Sequence, residues 1–216
     1  MRKHFSAWRA GALYYVPLLV LGFGAMAYMG TRGQVYLGMA ALLPGLYVVY
    51  FFRDPQRRIT SDLQEIVSPA DGVVVEVTEL EETPYYDGPC IRISIFLSIF
   101  NVHVNRMPDD GTIARMDYRK GKYKNAMSVE SSEVNEANTI WLKTPHGPMT
   151  VRQIAGLIAR RIVCPAEVGE TLKKGEKFGM IRFGSRTELF LSVDAEVVVS
   201  EKDKVHGGST VVARFS

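Results

Sequence analysis

Val168-Gly169-Glu170-Thr171-Leu172-Lys173-Lys174-Gly175 has a counterpart later in the chain, Val199-Ser200-Glu201-Lys202-Asp203-Lys204-Val205-His206-Gly207-Gly208. Each reads as strand, turn, strand, with Gly or Asp where the backbone must reverse. Two such units predict a mainly β domain built of small sheets. The chain upstream agrees. Val73–Val77, Ile91–Phe96, Gly111–Met116, Thr139–Leu142 and Met149–Ile154 are short β-type runs broken by Gly, Pro and Asp. Only Gln153 to Arg161 allows a short helix. Lys120 to Asn138 is polar and reads as a long loop, of a size that in a compact domain is more often functional than idle, such as a lid near a substrate.

The N-terminal quarter is different in kind. Residues 11–29 and 34–52 are free of charge, each long enough to cross roughly 30 Å of hydrocarbon at about 1.5 Å per residue. Gly30-Thr31-Arg32-Gly33 between them is a tight turn, which predicts a helical hairpin with both ends on one side. Arg2, Lys3 and Arg9 precede the pair and Arg53, Arg57 and Arg58 follow it, against Arg32 alone in the turn, so the positive-inside bias puts both ends in the cytoplasm. Pro17, Pro44 and several glycines allow either a transmembrane hairpin or a re-entrant one that dips into one leaflet. A cleaved signal peptide fits poorly, because no small-residue cleavage site follows the first run.

Composition narrows the function. Hydrophobic residues make up 47% of the 216 and the mean hydropathy is +0.01, high for a chain that faces only water. The net charge of +3 is mild and the basic residues form no stripe, which argues against nucleic acid as a partner. A basic flank beside an apolar run fits the anionic surface of a membrane. Cys90 and Cys164 are far apart and read as small buried residues, not a disulfide. His4, His103, His146 and His206 form no cluster of metal-ligand spacing, so no metal site is expected.

A nucleophile is harder to find, and one stretch supplies it. Gly179-Met180-Ile181-Arg182-Phe183-Gly184-Ser185-Arg186 places a Gly-Ser bond at the edge of an expected β-hairpin. Ser68-Pro69-Ala70-Asp71-Gly72 and Phe100-Asn101-Val102-His103-Val104-Asn105-Arg106-Met107-Pro108 add an acid and an imidazole at turns between apolar runs. These are the parts of a base-assisted serine. Alone, Asp71 is a turn former and the Gly-Ser pair a turn. With Phe51-Phe52-Arg53-Asp54-Pro55 and Gln153 to Val163, in this order, the chain resembles the short, membrane-anchored form of phosphatidylserine decarboxylase, over most of its length beyond the hairpin. The doubled C-terminal unit separately resembles the barrel-sandwich of lipoyl- and biotin-carrier domains.

The decarboxylase resemblance implies that the chain cuts itself at Gly184-Ser185 into residues 1–184 (the β chain) and 185–216 (the α chain), which stay together as a heterodimer. Ser185 becomes a pyruvoyl group, the cofactor, whose carbonyl condenses with the amine of phosphatidylserine and accepts electrons as carbon dioxide leaves. Phosphatidylethanolamine is the product. His103 and Asp71 are then catalytic, with Asp71 assigned to self-cleavage. Larger relatives carry H-x-x-H-M-P, whereas here Arg106 stands for the second histidine, so His103 covers both proton transfers, another group shares them, or His103 serves to protonate or orient the substrate. Asn105 and Arg106 are candidates for substrate binding, and Arg106, Arg160 and Arg161 for meeting phosphate or carboxylate. A second Gly-Ser bond, Gly208-Ser209, resembles the Leu-Gly-Ser-Thr of larger relatives, but a comparable phrase lies downstream of their cut, which favours Ser185. Residues 1–52 are expected to anchor and 53–216 to catalyse, at the cell (inner) membrane with the catalytic domain on the cytoplasmic side, and a homo-oligomer is compatible. Two rival readings are a non-enzymatic membrane-tethered barrel-sandwich adaptor or carrier, and a pyruvoyl decarboxylase of a soluble amino acid or adenosylmethionine. A carrier needs a modifiable Lys where Gly184-Ser185-Arg186 stands, and a soluble substrate gives no reason for an anchor.

Overall fold

The computed structural model describes residues 6–60, 62–122, 131–156, 161–182 and 184–216. Contacts divide the chain into two compact units, Met1–Pro55 and Gln56–Ser216. In the first, helices α1 (Ala7–Gly30) and α2 (Val35–Phe51) pack against each other on either side of a three-residue turn. Glycines set their approach: a Cβ on Gly38 would run into Met26, on Gly22 into Leu42, and on Gly45 into Leu19. Ser6 caps α1 by accepting from Arg9 N–H. Pro17 and Pro44 lie inside the helices without ending them. By length and composition α1 is able to cross a membrane, and α2, at 17 residues, is a shorter apolar helix.

The second unit is mainly β. Its described strands are β1 (Glu65–Val67), β2 (Gly72–Leu80), β3 (Cys90–Leu97), β4 (Val104–Arg106), β5 (Gly111–Arg119), β6 (Ala137–Thr144), β7 (Gly147–Ala155), β8 (Ile162–Val163), β9 (Thr171–Leu172), β10 (Lys177–Ile181), β11 (Ser185–Ser192), β12 (Glu196–Val197), β13 (Lys204–Val205) and β14 (Val211–Arg214). A four-residue helix, α3 (Ser131–Val134), precedes β6. Eight strands form one curled sheet in the order β13-β2-β3-β11-β7-β6-β5-β9, with two three-stranded sheets, β1-β14-β12 and β4-β10-β8. The core includes Val74, Ile93, Ile140, Val151, Leu189, Phe178 and Val212, drawn from all three. Each such fully buried side chain stabilises the fold by about 1.5–3 kcal/mol.

The sheet order reads the same from both ends, because the unit has pseudo-two-fold symmetry. Strands of three and nine residues flank Ser68-Pro69-Ala70-Asp71-Gly72, and strands of three and nine flank Met107-Pro108-Asp109-Asp110-Gly111. The doubled C-terminal phrase supplies a partner to each. Gly169 N–H donates to Ile113 O and Ile113 N–H to Glu170 O, while Lys202 N–H donates to Val74 O and Val74 N–H to Asp203 O. Gly169 (φ 87°) and Lys202 (φ 76°) occupy equivalent left-handed positions. Both Asp71 and Asp110 accept a turn N–H, from Gly207 and Lys174 respectively. The axis passes between Leu189 and Val151, which face each other across β11 and β7.

Three local expectations change. β10 pairs with β4 and β8, and β11 with β3 and β7, so Gly184-Ser185 lies between two sheets, not at the edge of a hairpin. Each flanking strand finds its partners far along the chain. Gln153 to Ala155 end strand β7 instead of starting a helix, since β6 and β11 bracket them and satisfy their backbone groups on both sides. Residues 157–160 of that stretch lie outside the described residues. The expected loop over 120–138 contains α3 and the start of β6, and 123–130 of it are also outside the described residues.

Candidate active site

The symmetry locates the site by being broken there. In one half, β6 and β7 are joined by a tight turn, with Thr144 paired to Gly147. In the other, the equivalent pair is Leu97 and Ser185. The hairpin turn is absent: the chain leaves β3 through Ser98–Asn101 toward β4 and returns at Gly184. The opened turn leaves room for side chains at the start of β11, a central strand otherwise buried along nearly its whole length.

His103 fills that position. It immediately precedes β4, which runs antiparallel to β10 with Val104 opposite Met180, and Ile181 N–H donates to His103 O (3.2 Å). The histidine is thereby carried to the end of β10. Its Nδ1 lies 3.0 Å from Asn101 O, an atom that only accepts, so Nδ1 carries the proton. Nε2 then presents its lone pair and accepts Gly184 N–H at 3.2 Å. Asn101 is itself fixed, its Oδ1 accepting from Ser98 N–H (2.9 Å) and Ser98 Oγ–H (2.7 Å). A neutral, oriented imidazole thus stands beside the Gly184-Ser185 bond. Gly184 has φ 65°, which disfavours any side chain. Ser185 is fully buried, and its Oγ has no hydrogen-bond partner among the described residues. An idle buried hydroxyl costs stability, and functional sites are where such costs are tolerated.

Asn105 is also fully buried and its amide is committed within the protein. Its Nδ2 donates to Thr187 Oγ1 (3.1 Å) and its Oδ1 accepts from Gln153 Nε2 (2.9 Å), whose Oε1 accepts from Asn138 Nδ2 (2.9 Å). This chain of amides ties β4, which follows His103, to β11, which starts at Ser185, on the same face of the sheet as Ser185. Gln153, Thr187 and Asn138 were not named as site residues from the sequence. Gln153 opens one of the runs that carry the family resemblance, while Thr187 and Asn138 are unremarkable polar residues in strands that no spacing signals. Arg106 donates from Nη1 to Gly175 O (3.0 Å) and is largely buried. Arg161 O accepts from Arg182 N–H (3.3 Å), while Arg160 lies outside the described residues.

Asp71 is held elsewhere. It accepts both Oδ contacts from Arg57 Nη2 (2.9 and 2.7 Å), one from Gly207 N–H (2.9 Å), and lies 3.3 Å from His206 Nδ1. The structure therefore brings His103, Gly184 and Ser185 together and gives Asp71 a separate set of partners. Ser209 sits in the turn after β13, where its N–H donates to His206 O (3.0 Å). His146 pairs with Asp109 (2.8 Å) and stacks on Phe215. Neither cysteine offers an alternative nucleophile. Burial pushes the Cys164 thiol up to about 11 and that of Cys90 upward. Among the described residues no three His, Cys, Asp or Glu converge to hold a metal.

Residues 45–213 match the sequence profile of phosphatidylserine decarboxylase. A phosphatidylserine decarboxylase proenzyme of Carboxydothermus hydrogenoformans is 45% identical over 216 residues, covering 100% of this chain and 99% of the relative. Proteins of the same description from Magnetococcus marinus and Wolbachia pipientis are 44% and 46% identical, over 78% and 83% of this chain and 78% and 80% of theirs.

Proposed function

Because the chain belongs to the phosphatidylserine decarboxylase family, we propose that it first cuts itself at Gly184-Ser185 and then decarboxylates phosphatidylserine with the group left at residue 185. The observation that carries this reading is the idle, buried Ser185 hydroxyl next to a glycine whose N–H rests on His103 Nε2.

The proposed cut uses Ser185 as nucleophile and His103, whose Nε2 now accepts Gly184 N–H, as its base. Ser185 Oγ bonds to the carbonyl carbon of Gly184 as Nε2 of His103 takes its proton, and the C–N bond breaks with that proton passing to the Ser185 nitrogen. The result is an ester and a free amine. Loss of the Cα proton of residue 185 breaks its Cβ–Oγ bond, releasing Gly184 as a carboxylate and leaving a carbon–carbon double bond. Addition of water and loss of ammonia convert that residue to a ketone. The ketone supplies an electron-accepting carbonyl beside the substrate amine, where the electron pair freed by departing carbon dioxide is drawn off. The residues here suit such a group. Ser185 is paired on both sides, to Leu97 and Ala155, so a new chain end there would keep backbone partners in both neighbouring strands. His103, its tautomer fixed by Asn101, remains to hold or return a proton at the substrate carbon. Asp71 acts in this scheme through position, by bracing the Gly207 turn and Arg57. The apolar helices of residues 1–52 hold the chain at a lipid surface, with residues 53–216 on the cytoplasmic side.

Intact mass under denaturing conditions tests the cut. We expect fragments 1–184 and 185–216, the second lighter by one ammonia than hydrolysis gives. Ser185→Ala should remain a single 24.1 kDa chain without activity. Processing of that variant, or a cut before Ser209, overturns the assignment of Ser185.

A further inference from the structure

Behind Ser185, on the opposite face of β11, lies a set of charges that the proposed chemistry does not use. Glu188 accepts from Arg152 Nη1 through Oε2 (2.7 Å) and from Ser132 Oγ through Oε1 (2.7 Å). Arg186 donates from Nη2 to Glu76 Oε2 (2.9 Å) and Ser94 Oγ (2.8 Å). Its Nε stands 3.2 Å from Glu188 Oε1, close enough for an ion pair but not aligned for a hydrogen bond. Arg152, Arg186 and Glu188 are all almost completely buried. Burying charges is costly, and apolar residues of similar size would often serve stability as well or better. The fold itself makes that point. The cross-strand pair related to Glu188 and Arg152 by the pseudo-two-fold axis is Thr150 and Phe190, uncharged and equally buried.

The period-two apolar pattern rejects a slip by one residue but not by two, and buried charges supply what it lacks. Residues 185–192 alternate, with Leu189 and Leu191 on the core face, and a slip by two residues still sets Leu189 against an isoleucine of β3, Ile91 or Ile95, so on that side apolar stays against apolar. On the other face it does not. A slip one way sets Arg186 opposite Arg152, and the other way sets Glu188 opposite Ile154 and Arg152 opposite Phe190. Before the cut, the link to β10 prevents such a slip. After it, β11 begins at a free end, and a slip would carry residue 185 roughly 7 Å along the sheet, away from His103.

We propose that the Arg186–Glu188–Arg152–Glu76 network is a register lock, made of positioning residues that hold the new chain end at His103 once the chain is cut. This rests on the reading of Gly184-Ser185 as the cut. All partners of Arg186 and Glu188 outside β11 lie before residue 185, so the lock joins the two fragments.

The test uses the full chain with Glu188→Gln, and Leu191→Val as a core control of comparable thermal loss. Phenylhydrazine titration counts the carbonyls formed, and turnover is measured per carbonyl. Glu188→Gln should still be cut, with turnover per carbonyl lower by about tenfold or more and KM little changed. Leu191→Val should keep wild-type turnover per carbonyl. An equal fall in both variants, or none in Glu188→Gln, overturns the lock. If Glu188→Gln does not fold, Glu76→Gln, on a less buried partner, should show the same sign at smaller size, and unchanged turnover there overturns it too. An uncut wild-type chain is a separate result that removes the cleavage reading and the lock with it.

Discussion

His103 is useful because its two ring nitrogens have different duties. Asn101 O accepts a hydrogen bond from Nδ1–H and so leaves Nε2 as an acceptor. His103→Ala should therefore slow self-cleavage by about 10²–10⁴-fold while the chain stays folded, read as the rate of appearance of the 185–216 fragment. Asp71→Asn is expected to differ in kind. It leaves Arg57 facing a neutral amide in a largely buried site, so the main effect is a loss of stability of about 3 kcal/mol in denaturant unfolding, with a smaller effect on cleavage than His103→Ala. A variant that folds with wild-type stability but is not cut would return Asp71 to the chemistry. The histidine was legible in the sequence because its motif is dense and several motifs occur in order. The partners of Asp71 were not. Arg57 lies in an apparently featureless linker, and His206 in a turn where a histidine is ordinary, and only folding brings them together.

At the level of elements, β2, β3, β5, β6 and β7 were legible from their β-branched runs, and the doubled turn phrase announced the two-fold halves. The break in symmetry was not, because β10 and β11 are neighbours in sequence yet pair in different sheets. β4 was hidden for a related reason. Val104-Asn105-Arg106 is three residues long, and all three are buried, two of them polar, so no alternation marks it. Its hold on β11 is the amide chain. Asn105→Leu would strand Gln153 Nε2 and Thr187 Oγ1 in the core at about 1–3 kcal/mol each. Thermal unfolding on the Ser185→Ala background should register that loss, and in the cleavable chain processing should slow because β4, next to His103, loses its tie to β11. The charges on the other face respond to acid. Burial pushes the Glu76 carboxyl up, but Arg92, Thr78 and Arg186 outweigh it and hold it below the ordinary glutamate range. Its contribution is therefore present at neutral pH and lost only as the pH falls through that lowered value.

Across the whole molecule, every group assigned to the proposed cut belongs to the unit Gln56–Ser216, and the apolar helices to Met1–Pro55. Self-cleavage and turnover on lipid should therefore separate. A chain beginning at Gln56 is expected to cut itself at the full-length rate, and to lose most activity on phosphatidylserine vesicles while keeping activity on substrate dispersed in detergent. Where the deletion ends matters. Arg57 pairs with Asp71, and Ile59 is seated against Gly175 and Gly208, the two equivalent turn glycines near which the halves meet. A chain beginning at Asp62 loses both contacts and leaves Asp71 buried without its arginine. It should be destabilised by about 3–5 kcal/mol relative to the chain beginning at Gln56, enough to unfold a domain of ordinary stability in part. Denaturant midpoints of the two truncations, each carrying Ser185→Ala so that neither is cut, measure the difference. Equal midpoints would show that residues 56–61 only connect the units, whereas the expected gap makes them part of the folded domain that presents Ser185.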